Sequence, residues 1–600
     1  MMGMTTQSGS GRHQRRRALL LRLAMIGGLA GLVGAPAFAQ SAAQAFVAGS
    51  GPSTQGADSP STWHVVPTLK AGPVAPEQPQ DHSKFKQLQG PFTSPEQVTQ
   101  ACLSCHTQAA HQVMSTEHWT WKAWDPKTHQ MVGKNHVYNN FCVSPISNEQ
   151  FCTVCHAGYG STDPDKFIPF SQRSEDHVDC LVCHDHSKLY HKIPFIGGNP
   201  AMQKIAVRPG CGEVYGTDKP FVEPENLALI AQSVGAPTRF TCGQCHFYGG
   251  GGDGVKHGDL DSSMANPSRA EDVHMDAKGL NFSCQKCHTT TNHDIPGSRY
   301  LIDADSHQSA YMRASPHNGN PVACVSCHGQ APHKGNDLTA RIEAATLNMH
   351  TRDIACETCH IPEYARGGLP TKMEWNYATA GKLAPNGSPL VILNSKGWNT
   401  YWGVKGSFKW AENVVPDYRW FNGTERWMTI GSKVQDYEKN GAVQINAIEG
   451  SPTDGKSKIW PFKIMRNNQP YDTKTGILAV FHSFGFDKDS YTMNYDWQTS
   501  IKAGMKAANL PYSGHFAFAK TEMYWPIAHM VAPSKNALSC MQCHTDDGRL
   551  QNIDGVYMPS RPKDHQDWIE RIGLLAAALA LAGVVLHGLI RFGLWLRRKH

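Results

Sequence analysis

Eight five-residue stretches decide how this chain is read: CLSCH (102–106), CTVCH (152–156), CLVCH (180–184), CGQCH (242–246), CQKCH (284–288), CVSCH (324–328), CETCH (356–360) and CMQCH (540–544). CxxCH is the attachment pattern of a c-type haem, in which two cysteines add across the vinyl groups and the adjacent histidine reaches the iron. The spacing predicts all three side chains on one short helical turn. Paired CxxC units could instead share a structural zinc. Histidine is only about 5% of the residues, however, yet it follows CxxC in all eight cases.

The motifs therefore predict eight covalently bound haem c groups. Thioether bonds would come from Cys102 and Cys105, Cys152 and Cys155, Cys180 and Cys183, Cys242 and Cys245, Cys284 and Cys287, Cys324 and Cys327, Cys356 and Cys359, and Cys540 and Cys543. Proximal iron ligands would be His106, His156, His184, His246, His288, His328, His360 and His544. The first seven motifs start 28 to 62 residues apart, too irregular for a solenoid. At about 37 residues per haem the groups must nearly touch, so they form an electron wire.

Working outward, 40% hydrophobic residues with 55 Gly, 37 Pro, 31 His and 18 Cys describe a loop-rich chain whose apolar mass comes partly from its cofactors. The fold class expected is mainly α with much irregular structure, organised around packed haems, plus one C-terminal transmembrane helix. Residues 1–39 read as a signal peptide: Arg12, Arg15, Arg16 and Arg17, an apolar stretch to Gly34, and Ala37-Phe38-Ala39 before Gln40. Residues 40–80 read as a Gly/Pro/Ser-rich lead without apolar periodicity. Residues 81–360 form a seven-haem core and 361–539 an aromatic-rich covering region. Strand-like pieces occur there at 383–393 and 403–423, and helix signals around 496–510 and 521–544. The eighth haem and a linker occupy 540–570, and 571–600 an anchor with a basic tail.

The apolar run Ile572–Ile590 is long enough to span a bilayer, and the basic residues after it suit the cytoplasmic side. The exported part would then face the periplasm from the inner membrane, with a quinol-linked or cytochrome electron donor. The formal charge of +6 falls to about −3 once five signal arginines and four basic residues of the last ten are set aside. Nothing in that balance points to nucleic acid.

Six-coordinate haems need a second axial ligand, and twenty histidines lie outside the motifs in the exported part. They include His82, His118, His136, His177, His186, His257, His274, His293, His307, His317, His333, His350 and His529. Among these, His118, His257 and His529 are proposed distal ligands. Supply exceeds demand, so counting cannot say whether one iron is left for a substrate. Cys142 and Cys211 lie outside the motifs; they could form a disulfide, or Cys142 could be a reactive thiol near the second haem. Asp253, Asp259 and Asp261 could bind calcium, or simply line a polar loop.

Several longer stretches resemble the octahaem tetrathionate reductase family, a multihaem cytochrome c group related to hydroxylamine oxidoreductase and octahaem nitrite reductase. They are HSKFKQLQGPF (82–92), EHWTW (117–121), NNFC (139–142), VDCLVCHD (178–185), CGQCHFYGGGGDGVKHGDLD (242–261) and EMYWPIAHMVAPSKNALSCMQCH (522–544). The C-terminal span is an addition to the pattern of soluble members. The resemblance implies that the second haem is catalytic, with a lysine on its distal side and a cysteine nearby. Carried over, these are the haem on Cys152, Cys155 and His156, Lys256 in the glycine-rich loop, and Cys142. Lys188, Lys192 and Lys204 remain alternatives for the lysine.

The activity implied is two-electron reduction of tetrathionate, a small anion, to thiosulfate. Nitrite or hydroxylamine reduction on the same scaffold is one rival. Hydroxylamine oxidation of the cross-linked-tyrosine kind fits less well, because only Tyr557 follows the last motif. A non-catalytic carrier between membrane quinol and a periplasmic acceptor is the rival of another class.

Overall fold

Residues 80–141, 144–160, 168–206, 221–301, 323–556, 558 and 567–599 are described in a computed structural model, and all belong to one compact unit. The expected signal peptide, Cys142, Cys211, His307, His317 and Tyr557 lie outside them, as does the lead but for its last residue.

Helix around the motifs is short and local, as the spacing predicts. Cys102 lies in the last turn of α1 (Pro95–Leu103), and the fourth motif forms the end of α2 (Arg239–His246). Thr238 caps α2 by accepting from the Thr241 N–H. In α2 the cysteines at positions 242 and 245 and His246 fall on one face, because three- and four-residue steps return to the same side. The third, fifth, sixth and seventh motifs form single turns of four or five residues, Leu181–His184, Cys284–Cys287, Cys324–His328 and Cys356–His360. Such turns are too short to be stable alone. A longer helix, α3 (Leu338–His350), is capped by Asp337 and ends on His350, one of the histidines discussed below.

The largest assembly is a ten-stranded sheet that departs from the mainly α expectation. Its strands in chain order are β1 (Thr371–Asn376), β2 (Val391–Leu393), β3 (Asn399–Trp402), β4 (Gly406–Ala411), β5 (Asp417–Phe421), β6 (Glu425–Trp427), β7 (Glu438–Lys439), β8 (Ala442–Ile448), β9 (Lys458–Asp472) and β10 (Phe516–Pro526). The spatial order is β6-β8-β10-β9-β1-β4-β3-β2, with β7 on β8 and β5 on β9. The β9/β10 ladder runs antiparallel from Phe462↔Pro526 to Asp472↔Phe516. β9 is buried on both faces along most of its length, which is what a central strand requires.

Two sequence expectations fare differently here. The helix at 496–510 is present as α4 (Trp497–Ala507), capped by Asp496. Thr521–Pro526, read as helical, is instead the end of β10: pairing with β9 and the β-favouring Tyr524 and Trp525 outweigh a weak helical periodicity.

Nor is the region 361–539 only a cover. It holds the largest apolar cluster, built on Trp375, Trp402, Trp427, Phe481 and Met465, and that cluster takes in Val137, Tyr138 and Phe141 from the haem segment. A fully buried aromatic side chain removes about 150–250 Å² from water, or about 4–6 kcal/mol before ordering costs. The sheet is thus a scaffold into which the chain between the first two motifs is packed.

At the C-terminus, α5 (Asp567–Lys599) contains, within Trp568–Lys599, an 18-residue window with mean hydropathy 2.2 and no burial against the rest of the protein. It is long and apolar enough to cross a membrane.

Candidate haem array and second-motif site

A continuous cavity of about 2860 Å³ reaches the side chains of seven motifs, the second to the eighth. Around it, motif histidines face histidines from distant parts of the chain. Ring centroids are 6.5 Å apart for His82 and His106, 6.1 Å for His118 and His246, 6.3 Å for His184 and His293, 6.0 Å for His274 and His328, 6.1 Å for His333 and His360, and 6.1 Å for His350 and His544. Two imidazoles sharing one metal, with bonds of about 2 Å and about 1.1 Å from nitrogen to ring centre, would stand about 6 Å apart. Six motifs therefore have the spacing that a bis-histidine haem needs.

His529 lies within electrostatic reach of the fifth motif's His288. Its Nδ1 lies 3.1 Å from Asp259, whose carboxylate also accepts the Ala528 and His529 N–H groups at 2.8 and 2.9 Å. Burial opposes both charges, yet the pairing holds Asp259 down to about 2 and His529 above its ordinary value. A carboxylate on Nδ1 leaves Nε2 as the outward nitrogen, the usual support for a ligating histidine.

Of the proposed distal ligands, His118 stands opposite His246, in the fourth motif. His257 does not pack on a motif histidine among the described ring contacts; its ring lies 4.6 Å from Trp525, whose indole N–H donates to Nδ1 at 3.2 Å. His177 is spent in a cap with Ser174, and His186 bonds the Ala236 carbonyl at 2.5 Å. Proximity in sequence could not find these pairs, since the partners are up to 194 residues apart, as with His350 and His544.

The cysteines give the order of the array. The sulfur of Cys102 lies beside that of Cys180, Cys155 beside Cys245, Cys242 beside Cys284, and Cys324 beside Cys356. Cys183 is within electrostatic reach of Cys242, Cys287 of Cys327, and Cys359 of Cys543. The motifs therefore run 1-3-4-5-6-7-8, with the second as a side branch on the fourth.

That branch has different surroundings. His156 is fully buried between Trp119 and Trp121, at 5.0 and 5.3 Å between ring centres. Burial, then the Arg173 guanidinium 3.1 Å from its Nδ1, pushes it well below its ordinary value, so it is a neutral imidazole. Lys134 lies 4.6 Å over Trp121.

The glycine-rich loop brings Lys256 to the same cavity, buried, with Nζ donating to Asn139 Oδ1 at 2.7 Å. Gly250, at φ +84°, makes room: a Cβ there would stand 2.8 Å from Lys256 Cγ. The loop hangs on the sheet through Thr371 Oγ1, which donates to the Gly254 carbonyl at 2.7 Å, and through Lys463.

The alternative lysines are placed elsewhere. Lys192 is sealed in an ion pair with Asp179 at 2.9 Å, Lys204 pairs with Glu223 at the surface, and Lys188 is exposed. The loop carboxylates have protein partners: Asp253 takes Ser262, Asp261 takes Ser263, and Asp259 takes His529. Among the described residues no cluster of three or more such groups is arranged for a metal ion.

Comparison with known proteins fits this geometry. The family model "Cytochrome c bacterial" matches residues 372–547, the sheet and the eighth motif. A crystal structure of octaheme cytochrome c from Shewanella oneidensis is 38% identical, covering 81% of this chain and 98% of that one, with a TM-score of 0.65. The chain belongs to the octahaem cytochrome c family. An uncharacterized protein of Archaeoglobus fulgidus is 22% identical over 276 residues, 40% of this chain and 87% of that protein. Membership makes this chain a redox protein carrying covalent haem c, and the facing histidines have the spacing that this cofactor needs.

Proposed function

We propose that this octahaem cytochrome binds eight haems and reduces a small anion, tetrathionate, at the second motif. The observation that carries the reading is the contrast between motifs. Six histidines face a partner histidine at bis-ligand spacing, while His156 sits beside tryptophans in a cavity that also holds the Lys256 amine. Bound haem supplies reversible one-electron storage, and a linked array lets two electrons arrive in succession.

The chain's own residues do the rest. His156 and Lys256 would be the residues that hold the iron of the second haem. Asn139 offers the amine a second resting place when it leaves, and Arg173, Lys134 and Lys256 make the surroundings attractive to an anion. Cys142, three residues after Asn139 in the sequence, would be the thiol that meets sulfur. Two electrons added to the central sulfur–sulfur bond give two thiosulfates.

The array has two ends suited to this. Motif 2 is the branch, and motif 8 is nearest to the proposed membrane anchor. Leu550 and Ile553 pack in one cluster with Cys543, Met558 is buried, and only residues 559–566 separate it from α5. Those eight residues and their flanking bonds span at most about 30 Å. Electrons from a quinol-linked or cytochrome donor in the membrane would enter at motif 8, on the periplasmic side.

The test is electron paramagnetic resonance of Lys256→Ala and Cys142→Ser. Lys256→Ala should give a high-spin signal at one haem of the array with haem content unchanged, and Cys142→Ser should keep the native spectrum. An unchanged spectrum in Lys256→Ala would refute the ligand assignment.

A further inference from the structure

Lys463, one of the two side chains that tie the glycine-rich loop to the sheet, lies within β9 and is fully buried. Its Nζ donates to the Val255 and Lys256 carbonyls, each at 2.9 Å, and to Thr371 Oγ1 at 2.6 Å. The Thr371 hydroxyl gives its own hydrogen to the Gly254 carbonyl, so its oxygen can only accept from Lys463. Three acceptors are satisfied together only by –NH3+. The stem fits because residue 258 is glycine: a Cβ there would stand 2.4 Å from the Tyr364 ring and 3.3 Å from Lys463 Cδ.

The same strand also holds the other side of the site. Asn140 Nδ2 donates to the Met465 carbonyl, Asn467 Nδ2 donates to the Asn140 carbonyl, and Gln469 Nε2 donates to Asn140 Oδ1 at 3.0 Å. Asn140 follows Asn139, the acceptor of the Lys256 amine. Both partners of the Lys256–Asn139 bond are thus hung from one stretch of β9, residues 463–469. A buried ammonium is a costly way to pin a loop whose carbonyls could have been met by a neutral donor. What the ammonium adds is a three-point grip that includes the carbonyl of Lys256 itself.

We propose that Lys463 is a positioning residue that aims the Lys256 amine at the second-motif iron, acting through the Lys256 main chain. This rests on Lys256 being the distal ligand. Removing the grip lets the loop shift, and misplacement by about 1 Å at a reacting centre costs on the order of a hundredfold in rate.

The experiment uses full-length, haem-loaded protein carrying Lys463→Met, Thr371→Val, Thr371→Ser or Lys256→Ala, with haem content and electron paramagnetic resonance spectra recorded for each. Lys463→Met should retain all haems and show the same one-haem high-spin signal as Lys256→Ala. Thr371→Val should show a smaller fraction of it, and Thr371→Ser none. Should Lys463→Met fail to accumulate, Thr371→Val carries the test. A native spectrum in both, beside a changed one in Lys256→Ala, overturns the proposal alone. A native spectrum in Lys256→Ala overturns the ligand reading beneath it. Loss of melting temperature with an unchanged spectrum would mark Lys463 as merely structural and also overturn the proposal.

Discussion

Gly250→Ala perturbs the site at its tightest point. Gly250 has φ +84°, and an added Cβ would stand 2.8 Å from Lys256 Cγ, 3.0 Å from Val255 Cγ1 and 3.4 Å from the Phe141 carbonyl. Carbon atoms in contact prefer about 3.5–4.0 Å, so the Lys256 stem must recede by about 0.7–1.2 Å. The left-handed backbone costs roughly 1–2 kcal/mol for a non-glycine residue, and overpacking adds about 1–3 kcal/mol. The expected loss is therefore about 2–5 kcal/mol.

Gly387 provides the control. It has φ +80°, is exposed, and a Cβ added there would meet nothing within 4 Å, so Gly387→Ala carries the backbone cost alone. Guanidinium unfolding of both variants, with the spectrum of the second haem, separates the two contributions. Gly250→Ala should lose more stability than Gly387→Ala and should shift the spectrum, because the 2.7 Å bond to Asn139 cannot survive the displacement. Equal losses with a native spectrum would refute the claim that this glycine exists to let Lys256 pass.

Two further outcomes follow from other parts of the protein. Burial pushes Glu225 up to about 7 despite its 3.3 Å contact with His191. Its folded value lies above the unfolded one, so its stabilising contribution is full below about pH 4.5 and is lost as pH rises toward 7. Glu225→Gln should flatten the fall in melting temperature over that range, and identical slopes would contradict the assignment. A chain ending near Asp564, without α5, should be soluble and keep every haem and its viologen-driven activity; loss of a haem on truncation would show that the helix does more than anchor.

The short turns around the motifs were legible because the CxxCH pattern is local: cysteine, cysteine and histidine on one turn need no knowledge of the rest of the fold. The distal partners were not legible for the opposite reason. His118 lies twelve residues after His106 yet faces His246, and His350 faces His544 across the whole sheet segment. His257 was drawn by its neighbour Lys256, but Trp525 of β10 captures it. The sheet was visible only as strand-like fragments, since β9 is buried on both faces and shows no clean alternation. Thr521–Pro526 was misread because its aromatic and methionine residues suit a helix stripe as well as a strand until the partner strand is known. Lys463 left no signal at all: one lysine in an apolar run looks like an edge or a break, and only three converging acceptors give it a role.

The most direct test of the central claim is steady-state turnover with reduced viologen on tetrathionate, nitrite and hydroxylamine, measured for the native protein and for Lys256→Ala at equal haem content. The account predicts that tetrathionate gives the highest kcat/KM, yields two thiosulfates per molecule, and loses most of its turnover in Lys256→Ala. Equal or faster turnover of nitrite or hydroxylamine would contradict the substrate. No turnover of any of the three, together with no binding of cyanide or carbon monoxide at any iron, would show an electron carrier instead of a reductase.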